Sequence, residues 1–445
     1  MDIARKLAVM VVKELEEKEG YSNIVLNHVI EQNRKNMTEK DVGFLSELVY
    51  GVVTWKLTID TILQKHASIK LKKMSPWVLA ILRVGAYQIL FLDKVPKASA
   101  VDESVKICKK YAYRSSGFIN AILRKIEKRE KEELNNITDP IKRISVTTSM
   151  PEWIVEKLYK EIGEKQTEKV CEASCQKPGL SLRVNLLKVT KEELKQHLEQ
   201  ENIIVQDGLL SSFLTAEKVK NMTALKSYQK GEFTVQDEAA GLTSLLLNPK
   251  PGDTVLDCCS APGGKTTHLA EIMKNTGSIM AWDVYDERLE KVRENAKRLG
   301  ITIIKTEKQD ASLIKHNQIE TYDCVLLDVP CLGLGVLKRK PDIKWQKKPE
   351  DIETIAKVQE AILETASQYV KKGGRMLYST CSILQEENHE QIEKFLTNHP
   401  NFTKIEIEEK EILTMIEKQK EKGEIQLYQN EKHDGFYMCL LKKMH

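Results

Sequence analysis

No apolar run in this chain is long enough to cross a bilayer. The longest, WVLAILRVGAYQILFL at 77–92, is interrupted by Arg83 and falls short of the roughly 20 clean residues a span requires, so no membrane partner is expected. No cleavable leader is expected either. MDIARKLAVMVVKELEEKEG sets Ile3, Leu7, Val11 and Leu15 at helical spacing without a small-residue cleavage site, the pattern of an amphipathic core helix. Surplus charge is slight: 69 Lys and Arg against 65 Asp and Glu leave +4, which argues only weakly for an acidic partner. The cysteines do not suit a disulfide framework, being nine in 445 residues, an odd number, with Cys258 and Cys259 adjacent. A reducing cytoplasm is the expected location. Cys171 and Cys175 stand four apart with no second Cys or His pair at zinc-site spacing, so they read as helix-face cysteines and no metal is expected.

What is present is ordinary globular material, 41% hydrophobic and 30% charged, in a chain beyond the size at which one core stops growing. Two or three domains follow. Up to about residue 130 the pattern is helical, with long periodic segments such as DVGFLSELVYGVVTWKLTIDTILQ. Within it, 101–131 carries nine basic residues (Lys106, Lys109, Lys110, Arg114, Arg124, Lys125, Lys128, Arg129, Lys131) against four acids. A basic face is usually only a solvated one, and gains meaning if the rest of the chain points to nucleic acid. DPIKRISVTTSMP at 139–151 reads as a linker, and the segment after it mixes helices with the strand-like runs LSLRVNLL, IIVQ and GEFTVQD, a small α+β module. The predicted division is 1–138, 145–235 and 236–445.

From KPGDTVLDCC onward apolar strands alternate with amphipathic helices, which predicts an α/β, Rossmann-like domain around a mostly parallel sheet. Ligands in such folds sit outside the carboxyl ends of the strands. The first strand enters the glycine turn of DCCSAPGGKTTHL. A dinucleotide fingerprint fails because Gly263 and Gly264 are adjacent with no third glycine, and a P-loop, whose tail Gly264, Lys265 and Thr266 supply, is disfavoured because Cys259 stands where its first glycine belongs. S-adenosylmethionine is the third and favoured reading. Its ribose diol needs a carboxylate at the end of the next strand, where Asp283 falls, and Asp310 one strand on suits the adenine amine. Asp257, Asp283, Asp310 and Asp328 close four successive strands, a pattern that helix capping alone does not explain.

DCCSAPGGKTTH, DVPCLGLGVLKRKPDIKW and YSTCSI strongly resemble the nucleotide-binding and catalytic motifs of RNA cytosine-5 methyltransferases. The helical N-terminal part is similar to the antitermination factor NusB, and with the α+β module it looks like the bacterial members that act on small-subunit ribosomal RNA. The likeness spans essentially the whole chain. It implies S-adenosylmethionine held by Cys259, Ser260, Ala261, Pro262, Gly263, Gly264 and Lys265 together with Asp283, Asp310 and Asp328. It also implies 16S ribosomal RNA, naked or in an early particle, as the partner of a monomer, without DNA.

The chemistry explains the cysteines. Cytosine C5 does not attack a methyl group unaided; a thiolate must first add at C6, and a free thiol of pKa about 8.5 is mostly protonated near neutrality. By resemblance Cys381 is that nucleophile and Cys331 assists release. Asp328 lies beside the cofactor and within reach of the cytosine edge, Pro330 aims Cys331, and Gly333 and Gly335 let the substrate approach. Lys338, Arg339, Lys340 and Lys344 are expected on the RNA side as phosphate contacts. The chain departs from the family in carrying Leu332 where a small Ser commonly follows the cysteine. A DNA cytosine-5 enzyme would show PCQ and a separate ENV element, and neither is present. A pure RNA-binding factor with a vestigial fold would not need both cysteines and the aspartates.

Overall fold

Capping side chains and prolines set where the N-terminal helices begin. Ser75 accepts from the Val78 amide with Pro76 opening the helix Pro76–Phe91, and Thr38 and Asp41 form a reciprocal capping box on Glu39–Thr54. We describe a computed structural model that covers every residue except Glu19, Lys218, Lys220, 408–422 and His445. Contacts divide it into two units, one of residues 1–176 with 337–347 and one of 177–336 with 348–445.

The first unit is helical. Pro76–Phe91 is its axis, buried from Val78 to Leu90, and the helices Ile3–Glu17, Glu39–Thr54 and Lys97–Tyr111 pack around it. Arg83, which breaks the apolar run, is buried and held by a two-bond fork on Asp60 (2.8 and 2.8 Å) and by Glu16 (2.7 Å). Among the described residues no single helix is long and apolar enough to cross a membrane. The segment read as a linker is a helix instead, Pro140–Thr147, capped by Asp139. A proline after an Asp opened that helix, the reading that the polar cluster concealed. Cys171 is buried on the helix Glu152–Ser174, and Cys175 caps its end with Sγ 2.7 Å from the Thr148 carbonyl.

Leu337–Lys347 packs among these helices, and this corrects the expectation for Lys338 and Lys344, while Lys340 is exposed. Lys344 is 1% exposed and donates to the Thr54 carbonyl at 2.8 Å; Lys338 is also buried. Trp345 donates to the Val53 carbonyl, and Asp342 accepts from the amide and hydroxyl of Ser22. A lysine whose head is spent on a backbone carbonyl cannot neutralise phosphate. The basic stretch 101–131 is also less positive than its count. Lys106 pairs with Asp102 and Glu103, and Lys128 with Asp93. Lys109, Lys110, Arg114, Arg124 and Lys125 are exposed and make no ion pair among the described residues.

The second unit holds two sheets. Strands β1 (Leu180–Val184), β2 (Val205–Asp207), β3 (Phe213–Ala216) and β4 (Phe233–Val235) form an antiparallel sheet in the order β2-β3-β1-β4. The larger sheet contains β5 (Thr254–Asp257), β6 (Ser278–Asp283), β7 (Ile304–Lys308), β8 (Tyr322–Asp328), β9 (Val370–Thr380), β10 (Phe402–Lys404), β11 (Glu424–Leu427) and β12 (Phe436–Lys443). Its order is β10-β12-β9-β8-β5-β6-β7, with β11 also paired to β12. β9, β8, β5, β6 and β7 run parallel and β12 antiparallel to β9, so the sheet is the mostly parallel one expected. The chain order reverses between β5 and β8, where a ligand crevice opens in such sheets.

Candidate active site

Four strand ends and one glycine turn build the site. β5 delivers Asp257 into the turn, where Ser260 is buried with its amide and hydroxyl on the Trp282 carbonyl (2.8 and 2.9 Å). Gly263 has φ 99°, a left-handed value that a side chain would strain, and the helix Gly264–Ile272 starts at once. The turn is pinned from behind by Arg183 of β1. Its fully buried guanidinium donates to the Gly264 carbonyl (2.7 Å), to Thr267 (3.0 Å), to both oxygens of Glu271 (3.0 and 2.8 Å) and to Gln236. Sequence reasoning passed over Arg183, because one arginine in a short strand carries no periodic signal.

The acids differ in state. Burial pushes the Asp257 carboxyl up to about 7, against its hydrogen bond from Thr266, and its Oδ1 is buried with no hydrogen-bond partner among the described residues. Asp283 is 4% exposed at the end of β6, accepting from the Tyr285 amide at 3.1 Å with Arg288 at 3.4 Å. Asp310 lies two residues past the end of β7 rather than on it, exposed, with Oδ1 accepting from the amide and hydroxyl of Ser312. That is a side-chain turn at the strand exit. Asp328 ends β8, taking the Lys265 ammonium at 2.7 Å and the Ser379 hydroxyl at 3.1 Å. A glycine turn, an orphaned carboxylate oxygen and a buried acid at the next strand end fit the amino-acid and ribose parts of S-adenosylmethionine.

The two thiols of DVPC and STCSI meet. Cys331 follows β8 and Cys381 follows β9, neighbouring parallel strands, and their Sγ atoms lie 3.1 Å apart as free thiols. The hydrogen bond to Cys381, then burial, pushes the Cys331 thiol well up, which keeps its proton on. Cys259 is kept protonated as well, by burial and by the charges of Asp257 and Asp328. Burial works against the Lys265 ammonium, but Asp328 and Cys381 hold its pKa up, so it stays charged in its pair with Asp328. Lys265 also sits over the Phe436 ring, 5.0 Å from its centroid.

Gly333 has φ 76°, as its turn requires. Gly335 does not make room for substrate: its amide donates to the Cys381 carbonyl at 2.9 Å, and a Cβ there would stand 2.2 Å from the Gly435 carbonyl oxygen. Its freedom serves a backbone crossing that locks the Cys331 loop to the end of β9 and the start of β12. The HDGF segment at 433–436 thus belongs to the site, and only its glycine hinted so. Leu332 is buried, and its amide donates to Glu387, a residue also missed.

Family models match three stretches: 16S rRNA methyltransferase RsmB/F over 244–442, the NusB family over 2–128, and the RsmF/B-like ferredoxin-like domain over 150–214. The chain is 36% identical over 442 residues to the probable ribosomal RNA small subunit methyltransferase B of Bacillus subtilis, covering 99% of this chain and 98% of that protein. The chain belongs to the RsmB/F family of 16S rRNA methyltransferases. Members of this family use S-adenosylmethionine. The ribosomal RNA small subunit methyltransferase B of an Enterobacter strain is 33% identical over 383 residues, covering 85% of this chain and 87% of that one. The crystal structure of PH0851 matches with a TM-score of 0.82 at 27% identity, over 99% of this chain and 98% of that chain. NSun6 from Pyrococcus horikoshii, solved with SFG, shares the fold over 66% of this chain and 98% of its own at 23% identity, with a TM-score of 0.59. The expected architecture stands: a NusB-like domain, a ferredoxin-like module and a methyltransferase domain.

Proposed function

We propose that this chain methylates C5 of a cytidine in 16S ribosomal RNA, with Cys381 adding to C6 and Cys331 serving release of the product. The observation that carries the reading is the 3.1 Å approach of the two sulfurs at adjacent strand ends. S-adenosylmethionine, held by the 259–265 turn with Asp283, Asp310 and Asp328, supplies an electrophilic methyl group. The Cys381 thiolate forms a bond to C6 and makes C5 enamine-like; once C5 is methylated, loss of the C5 proton to a base breaks the sulfur–C6 bond and restores the ring. Cys331, its thiol pushed up by the hydrogen bond to Cys381 and by burial, donates toward the Cys381 sulfur from beside it and stands next to the bond that breaks on release. Asp328 accepts from the exocyclic amine. The base leaves its stack or a loop to reach Cys381. On the same reading 1–138 docks RNA, 145–235 assists, 236–445 carries the chemistry, and the enzyme works as a cytoplasmic monomer.

The test asks what each cysteine does without the other. Cys381→Ala is expected to abolish methylation and to form no covalent adduct while still binding RNA. Cys331→Ala should attack and then stall, so a protein–RNA species stable to denaturing electrophoresis accumulates. An adduct in Cys381→Ala instead would reverse the two roles, and activity retained in both variants would remove both thiols from the chemistry.

A further inference from the structure

One buried carboxylate reaches the residues that flank both cysteines. Glu387 is 0% exposed in the short turn Gln385–Glu387. Its Oε2 accepts from the Leu332 amide at 2.9 Å and from Gln359 Nε2 at 3.0 Å, and Oε1 accepts from the Ser382 hydroxyl. Gln359, also fully buried, donates from the same nitrogen to the Pro330 carbonyl at 2.9 Å. Cys331 is therefore held at the backbone on both sides, through Pro330 and Leu332. Cys381 is held at Ser382, and on its other side Thr380 donates to Asn388, the next residue along from Glu387, at 2.6 Å. Tyr378 of β9 completes the brace by donating to the Glu387 carbonyl oxygen at 2.7 Å.

An ordinary fold brace would gather donors from wherever the chain passes. These come from the immediate neighbours of two thiols fifty residues apart, and from a glutamine tied to one of the same loops. We infer that Glu387 is a positioning residue that holds the Cys331 and Cys381 sulfurs face to face, an inference that rests on the two-thiol reading above. It touches neither sulfur. Burial raises its own pKa, and its charge adds to what keeps Cys331 protonated. A misplacement of about 1 Å at reacting atoms lowers a rate about 100-fold.

Full-length Glu387→Asp and Glu387→Gln separate reach from chemistry. Asp keeps the carboxylate but is one methylene too short to reach Leu332 and Ser382 together. Gln keeps the length, accepting from Leu332 with its oxygen and donating to the Ser382 hydroxyl with its nitrogen. The first readout needs neither cofactor nor RNA. Diamide oxidises two adjacent thiols to a disulfide, taking up their two protons and two electrons as its N=N bond becomes a hydrazine, and mass spectrometry follows the 331–381 pair. Wild type and Glu387→Gln are expected to pair at similar rates and Glu387→Asp about tenfold more slowly. Glu387→Asp should also lose about 100-fold in kcat with KM for cofactor and RNA within about twofold, and Glu387→Gln should restore most of it. Pairing and kcat unchanged in Glu387→Asp would overturn the inference. So would cofactor affinity and melting temperature falling in step with activity, since that marks a general brace. If the pairing rates behave as stated but the wild type places no methyl on cytidine C5, the positioning role stands and the proposed reaction fails.

Discussion

At the residue scale, charge states decide more than residue types. Nine cysteines looked alike in composition; strand ends and motifs singled out Cys331 and Cys381, and the structure adds that desolvation and the charges of Asp257 and Asp328 raise the pKa of the Cys259 thiol. Asp257 gives the sharpest test of this electrostatics. Its folded pKa, about 7, stands above the unfolded value near 4, so proton binding favours the folded state. The contribution is complete below the unfolded pKa and is lost as pH rises through the folded one, at up to roughly 1.4 kcal/mol per unit. Asp257→Asn cannot ionise and should lack that loss. Apart from a constant offset for the altered bond to Thr266, the variant should gain on wild type by a few kcal/mol between about pH 4 and 8. Urea denaturation of the cofactor-free proteins across that window checks it, and parallel curves would mean that Asp257 titrates normally.

At the scale of elements, the small sheet and the glycine turn are coupled by one arginine. Arg183 and Glu271 are both buried, with side chains 0% and 6% exposed. Truncating one partner of such a pair strands a charge, at a cost of about 3–5 kcal/mol. Arg183→Met should therefore be strongly destabilising, and Arg183→Met with Glu271→Met should regain part of the loss, since the Glu271 carboxylate is no longer stranded while Gln236 and the Gly264 carbonyl still lose their donor. Chemical denaturation of the two proteins measures this; additive losses would deny the coupling. Such pairings explain what was legible. Strand–helix alternation, the Asp ending β5, β6 and β8 and the cysteines past β8 and β9 are local patterns that the chain displays, whereas Asp310 falls two residues beyond β7. Glu387, Arg183 and the Gly335–Gly435 crossing act over 55 residues or more, or through a backbone approach, and no period or spacing announces them. The 139–151 segment was misread because a capping Asp and a helix-opening Pro are also turn residues.

At the scale of the whole molecule, the question is which positive charges meet RNA. Removing the N-terminal unit would be a poor test, because Leu337–Lys347 packs inside it and would lose the partners of Lys344 and Trp345. Substitutions in the full chain are cleaner. Lys109, Lys110 and Arg114 are exposed without an ion pair among the described residues, and Tyr113 between them is 72% exposed, which suits an RNA strand lying along this face. Each phosphate neutralised contributes about 0.7 to 0.9 to the slope of log affinity against log salt. Changing Lys109, Lys110 and Arg114 together to Glu should weaken binding of a 16S rRNA fragment and make the slope shallower by about 2. Lys344→Met is the contrast. Its ammonium is already committed to the Thr54 carbonyl, so its loss should leave the slope unchanged even if stability shifts. Filter binding from roughly 50 to 200 mM salt reads both. A shallower slope in Lys344→Met would return Lys344 to the RNA side, and an unchanged slope in the triple variant would leave Lys109, Lys110 and Arg114 without a role in phosphate contact.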